Sequence, residues 1–147
     1  MFRILLALFF INVSFAQQID KVDFIKCDAF VSPNHIEKWN FAPETWHSPN
    51  AENDLRVGGK FTYRMEAQDE SFGFDLSGIY DEIIPLNKIK YHLEDGRLVE
   101  VIFNEIDPTT TEVVEIFEPE TQNSREMQRD GWYAILNNFH KYVENYK

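Results

Sequence analysis

The residues able to do chemistry in this sequence are few and scattered. The four histidines, His35, His47, His92 and His140, fall at no H-x-H or H-E-x-x-H spacing. Local geometry therefore does not bring them together as ligands, and no metal is expected. Cys27 is the single cysteine. It has no disulfide partner, no companions for a zinc site and no neighbouring base to activate it, so a buried, inert thiol is its expected state. Gly58-Gly59 precedes a strand pattern and lacks the rest of a phosphate loop, so it reads as a tight turn. No Gly-x-Ser-x-Gly elbow is present. No catalytic residue and no cofactor is assigned.

Carboxylates, one arginine and many aromatic rings remain. Asp75 and Glu115 both lie on strand patterns and would form an acid–base pair if they met in a cavity. Arg64 could bond either of them, or a ligand carboxylate, if its face points inward. Its phase is opposite to Tyr63 and Met65, which favours solvent. Thirteen phenylalanines and 15% aromatic residues suit either a filled core or a lined apolar pocket. The expected cavity lining is Trp39, Phe41 and Trp46 around a loop at the mouth, Tyr63, Met65, Phe74, Tyr80 and Tyr91 on strands, and Gly131, Trp132 and Ile135 on a helix. For the aromatic residues the competing expectation is plain core packing. For Gly131 it is close packing of the helix against the sheet, instead of room left for a ligand.

These residues sit on a legible series of elements. Phe61, Tyr63 and Met65 alternate with Thr62, Arg64 and Glu66, the period of a half-buried strand. Phe72, Phe74, Leu76, Gly78 and Tyr80 repeat the pattern. Ile89, Tyr91 and Leu93 follow, then Asp95-Gly96, a strong hairpin signal. Val99, Val101 and Phe103 come next, and residues 111–117 form the last strand. Short turns join all five, which predicts an antiparallel meander. Upstream, residues 35–40 predict one or two helical turns, and residues 42–53 a polar loop. The period then changes. Met127, Gly131, Trp132, Ile135, Leu136, Phe139, Tyr142 and Val143 recur at three and four residues, one apolar stripe on a helix of about five turns. Asn123 and Glu126 are placed to form its capping box. A meander followed by one long amphipathic helix predicts an α+β domain, with the helix covering the sheet's apolar face.

The N-terminus supports two readings that conflict, with an exported domain on a shortened first strand and a cytoplasmic protein with an extra leader as the intermediate cases. Residues 1–16, MFRILLALFFINVSFA, have the layout of a secretory signal peptide: Arg3, an apolar run, then Ser14 and Ala16. On that reading the domain spans residues 17–147 and the protein is exported. On the other, residues 11–19 form a first strand and the protein stays in the cytoplasm. The apolar run is too short for a comfortable membrane span. A net charge of −11 with no Lys/Arg cluster argues against nucleic acid, whose phosphates need cations to displace their counterions.

Several motifs in order resemble one family. Residues 39–67, WNFAPETWHSPNAENDLRVGGKFTYRMEA, are similar to the signature of the activator-of-Hsp90-ATPase-like branch of the START-like proteins. Asp54-Leu55-Arg56-Val57-Gly58-Gly59 matches the Asp-Leu-Arg-x-Gly-Gly turn that opens that branch's second strand. Residues 73–83, GFDLSGIYDEI, resemble its Gly-x-Tyr strand. Residues 126–144, EMQRDGWYAILNNFHKYVE, resemble its C-terminal helix with an embedded Gly-Trp. The resemblance covers residues 30–147. It implies a helix-grip, Bet v 1-like fold, a curved antiparallel sheet wrapped around the long C-terminal helix. It also implies a cavity for a small hydrophobic or amphipathic molecule, in a monomer or homodimer. The family also includes cyclases, dehydratases and an Hsp90-binding domain, so an enzyme in the same cavity and a protein-interaction domain are the alternatives. The start departs from the pattern: Cys27 stands where the family's first helix carries Trp.

Overall fold

The period-two runs become strands and the period-3.6 run becomes a helix. In a computed structural model of the protein, residues 4–12, 28–108 and 110–146 are described. In chain order the elements are β1 (Ile4–Asn12), α1 (Pro33–Trp39), β2 (Trp46–His47), β3 (Ala51–Asn53), β4 (Lys60–Ala67), β5 (Gly73–Ile84), β6 (Lys88–Leu93), β7 (Leu98–Asp107), β8 (Thr110–Phe117) and α2 (Arg125–Asn145). One antiparallel sheet runs β1-β8-β7-β6-β5-β4-β2, with β3 also paired to β4. It curls around α2, giving the α+β helix-grip architecture.

Three boundaries differ from expectation. β1 lies at Ile4–Asn12 and shares residues 11 and 12 with the expected first strand, whose residues 13–19 lie outside the described residues; the apolar run that also fits a leader pairs along β8, from Ile4 opposite Phe117 to Asn12 opposite Thr110. Residues 13–27, including Cys27, lie outside the described residues. The polar stretch 42–53 is not all loop. Its short β2 and β3 both pair with β4, so Trp46 stands opposite Ala67 and Ala51 opposite Tyr63. The cap of α2 is Ser124, one residue beyond the expected Asn123; its Oγ accepts from the Met127 N–H. A hydroxyl on the extended residue just before the first turn satisfies one of that turn's free N–H groups.

The core lies where the inner rows of the sheet meet the helix stripe. Val99, Val101 and Phe103 of β7, Val113 and Phe117 of β8, and Leu136, Phe139 and Val143 of α2 are buried. The first turns of the helix correct the expected stripe. Met127 and Gly131 face solvent, and the buried position there is Gln128. Gln128, Trp132, Leu136, Phe139 and Val143 keep the three-and-four spacing, with a polar residue at its head. α1 begins at Pro33, where the missing N–H costs nothing. It buries Ile36 and Trp39.

Two glycine positions shape the sheet. Gly58 has φ +80°, and its N–H donates to the Tyr80 carbonyl at 2.7 Å, so the Gly58-Gly59 pair makes the tight turn into β4. At Gly78 the reason is space. A Cβ there would stand 2.7 Å from the Phe61 ring and 2.6 Å from the His92 carbonyl. Phe61, its partner across β4 and β5, lies over it.

Candidate functional site

Between sheet and helix is a cavity of about 360 Å³. β4 contributes Phe61, Tyr63 and Met65 to its wall, β5 Phe74, Leu76 and Tyr80, and β6 Ile89 and Tyr91. Alternation delivers these inward rows together, because successive residues of a strand face opposite sides. The helix adds Trp132, Ile135 and Leu136. The segment around α1 adds Phe30, Val31, Trp39 and Asn40. Arg97, Glu120 and Asn123 line both this cavity and a shallow surface hollow beside it, which makes that flank the polar one.

The wall is ordered by ring packing and hydroxyl bonds. Phe61 stacks on Tyr63 at 4.8 Å between centroids and meets Tyr91 edge-on at 4.9 Å. Phe30 packs edge-on against Phe103 and Phe139. The Trp39 Nε1–H donates to the Ala29 carbonyl at 2.8 Å, which fixes that indole. The Tyr80 hydroxyl donates to Asn53 Oδ1 at 2.9 Å, and Asn53 Nδ2 donates to the Val31 carbonyl at 2.5 Å. The Tyr63 hydroxyl lies 3.4 Å from that of Tyr80. This chain of polar groups ties β4, β5, β3 and the lead into α1 together. Burial pushes all three wall tyrosines above the usual phenol range. For Tyr63 the neighbouring Tyr80 adds to the effect, and for Tyr91 the charge of Glu115 does.

One ionisable group on the wall stands apart. Glu115, on β8, is 7% exposed. Burial pushes its carboxyl up to about 8, and no hydrogen bond or opposite charge from the described residues counteracts that push. Asn40, also on the wall, holds its Nδ2 buried and without a partner. Gln128 is satisfied. Its Oε1 accepts from the Glu120 N–H at 2.8 Å, while Nε2 donates to the carbonyls of Glu120 at 3.1 Å and Asn123 at 2.9 Å. It pins the β8–α2 connection onto the first turn of the helix.

Of the residues expected at the site, the structure brings together Trp39, Tyr63, Met65, Phe74, Tyr80, Tyr91, Trp132 and Ile135 on one wall. Three lie elsewhere. Trp46 packs against Phe72 and Phe74 near the sheet edge, at 5.9 and 6.0 Å. Phe41 is held by its carbonyl, which accepts from Asn138 Nδ2. Gly131 is exposed, and a Cβ added there would meet nothing within 4 Å. One residue is a 100° step around a helix, so Trp132 faces the cavity and Gly131 faces solvent. Asp75 and Glu115 do not converge. Asp75 is exposed and bonds Arg64 at 3.3 Å on the outer face, where Arg64 also bonds Glu66 at 3.0 Å. Sequence reasoning passed over Phe61, although it shares the parity of Tyr63 and Met65. Phe30, Asn40 and Gln128 carried no local signal.

The chemistry open to this wall is limited. Among the described residues that line it there is no serine, cysteine, histidine or lysine, and the groups able to exchange a proton are Glu115, Glu120 and the three tyrosines. No group of three or more potential metal ligands occurs among the described residues. Among them, no helix is long and apolar enough to cross a membrane.

Comparison with known proteins places this architecture. Residues 28–144 match the model of the activator of Hsp90 ATPase homolog 1-like family. The chain belongs to this family. Among solved structures of similar sequence, the AHSA1-like protein from Aeromonas hydrophila is 34% identical. It aligns over 97% of this chain and 92% of its own, with a TM-score of 0.80. Chr148 from Cytophaga hutchinsonii is 43% identical over 94% of this chain and 91% of its own, with a TM-score of 0.72. The Aha1 dimer from Colwellia psychrerythraea shares the fold at 14% identity, over 99% and 98%, with a TM-score of 0.71. The chain matches no curated protein. Within this family fold the motif turn 54–59 opens β4, the Gly-x-Tyr segment is the middle of β5, and the Gly-Trp pair sits one-third along α2.

Proposed function

We propose that this protein binds a small hydrophobic or amphipathic molecule in the cavity between its sheet and α2, without catalysing a reaction on it. The observation that carries this reading is the wall itself: eight of its twenty described residues are aromatic, around about 360 Å³ of space. That volume lies within the range of small-molecule sites, roughly 300–1,000 Å³. The rings bury a ligand's apolar surface at about 25 cal/mol per Å², and the few polar groups orient it. The lack of a serine, cysteine, histidine or lysine among the described wall residues favours binding over hydrolysis or cyclisation.

Native mass spectrometry of the purified protein, with solvent extraction of any copurified molecule, tests the proposal. A discrete apolar adduct, or a raised melting temperature with members of a lipid and aromatic-ligand panel, is the expected result. No adduct and no shift across the panel would sink it.

A further inference from the structure

An acid without a partner among the described residues stands in the cavity wall. Glu115 lies opposite Val101 of β7, and Val101 lies opposite Ile89 of β6, so its cross-sheet neighbours are aliphatic. On the other side β1, with the sequence ILLALFFIN, contains no ionisable residue. From α2 the wall receives Gln128, Trp132, Ile135 and Leu136, and from the α1 segment Trp39 and Asn40, none of which titrates. The titratable or charged groups that share the cavity are Tyr63, Tyr80 and Tyr91 from the sheet, and Arg97 and Glu120 from its polar flank. Tyr91 registers the charge of Glu115. Arg97 is engaged elsewhere, with Asp95 at 2.7 Å.

A buried carboxyl with no donor or cation is costly to a fold, and a purely apolar ligand gives no reason to keep one. Its chemical complement is a cation. The rest of the wall points the same way, because the faces of tyrosine, tryptophan and phenylalanine attract ammonium groups. The overall charge of −11 draws cations toward the protein and repels anions.

We propose that the molecule held here carries a basic nitrogen, which docks as an ammonium ion against the Glu115 carboxylate while its apolar body lies among the aromatic rings. This rests on the cavity holding a small amphipathic molecule, as proposed above. The proton balance is simple. In the empty protein Glu115 is protonated at neutral pH. On binding, the ligand keeps its proton and the carboxyl releases its own to solvent, forming an ion pair. One proton therefore leaves per ligand bound below about pH 8.

Titration calorimetry with four probes of one chain length tests this: octylamine, octyltrimethylammonium, octanol and octanoate. Both cations should bind at least about tenfold more tightly than octanol at neutral pH. Their affinity should rise about tenfold per pH unit below about pH 8 and level off above it. The dependence of the heat on buffer should report one proton released. Glu115→Gln should weaken both cations by about tenfold or more relative to the unaltered protein, with circular dichroism showing that the variant is folded. The proton release is read on the unaltered protein and needs no variant. Octanol or octanoate binding as tightly as octylamine, or cation binding without proton release, overturns the inference and leaves the cavity reading intact. Failure of all four probes to bind overturns both.

Discussion

Phe117 of β8 and Trp132 of α2 lie face to face, with ring centroids 4.5 Å apart and planes 13° from parallel. Phe117 is fully buried, and Trp132 turns its other side to the cavity. The stack is where the helix is fastened over the far side of the sheet. Aromatic pairs of this kind contribute about 0.5–1.5 kcal/mol beyond the area they bury. Phe117→Ala also leaves a hole beside an existing cavity. It should cost about 3–5 kcal/mol in urea unfolding. A loss below about 1 kcal/mol would show that the helix is held by other contacts.

Gly78 and Gly131 should respond to alanine in opposite directions. At Gly78 the added methyl runs into the Phe61 ring and the His92 carbonyl, both under 3 Å away. Both are firmly held, so Gly78→Ala should destabilise by about 1–3 kcal/mol. The ring contacts of Phe61 with Tyr63 and Tyr91 should shift with it, which near-ultraviolet circular dichroism reads.

Gly131 lies inside α2 with open space around it. There alanine gains helix propensity and restricts the unfolded chain. Gly131→Ala should stabilise by about 0.5–1 kcal/mol. If it destabilises instead, the helix packs more closely at this point than the structure shows.

Glu115 makes stability depend on pH. Its folded-state value, about 8, lies above the ordinary 4.5, so the folded protein holds a proton that the unfolded chain releases. The stability linked to that proton is complete below about pH 4.5. It is lost at up to about 1.4 kcal/mol per pH unit as the pH rises toward 8, and the loss is complete above that. Glu115→Gln should flatten this slope and raise the melting temperature most at pH 8 and above. Parallel curves for the two proteins between pH 5 and 8 would show that the carboxyl is not buried in solution.

Gln128 is the polar residue that the sequence pattern overlooked. Leucine fits the apolar stripe of α2 but abandons one N–H and two carbonyls of the β8–α2 connection. Gln128→Leu should cost about 1–3 kcal/mol, because each buried group left unpaired carries its desolvation penalty. Faster amide exchange at Glu120 should accompany the loss.

The five-strand meander, the closing helix and the turn at Gly58-Gly59 were readable because each depends on neighbours in the chain. Alternation puts Tyr63 and Met65 on one face and Arg64 on the other whatever the sheet does next. The same parity accounts for five of the eight expected residues that line the cavity, Tyr63, Met65, Phe74, Tyr80 and Tyr91; helical spacing accounts for Trp132 and Ile135. Trp46 and Phe41 lie off the expected wall because a polar stretch with no apolar period does not give its aromatic residues a direction; only its pairing with β4 places Trp46. Gly131 misled because adjacency to Trp132 in the chain is separation around a helix.

Tertiary structure decided the rest. That Ile4–Asn12 pairs with β8 follows from register between distant segments, which no local pattern encodes. That Asp75 bonds Arg64 outside while Glu115 faces the cavity follows from which rows the curved sheet turns toward α2. The character of Glu115 as a neutral acid at physiological pH arises only there. A carboxyl's titration is set by the water and charges around it, and in this protein Glu115 shares its cavity with residues of the α1 segment, β4, β5, β6 and α2, which span most of the chain.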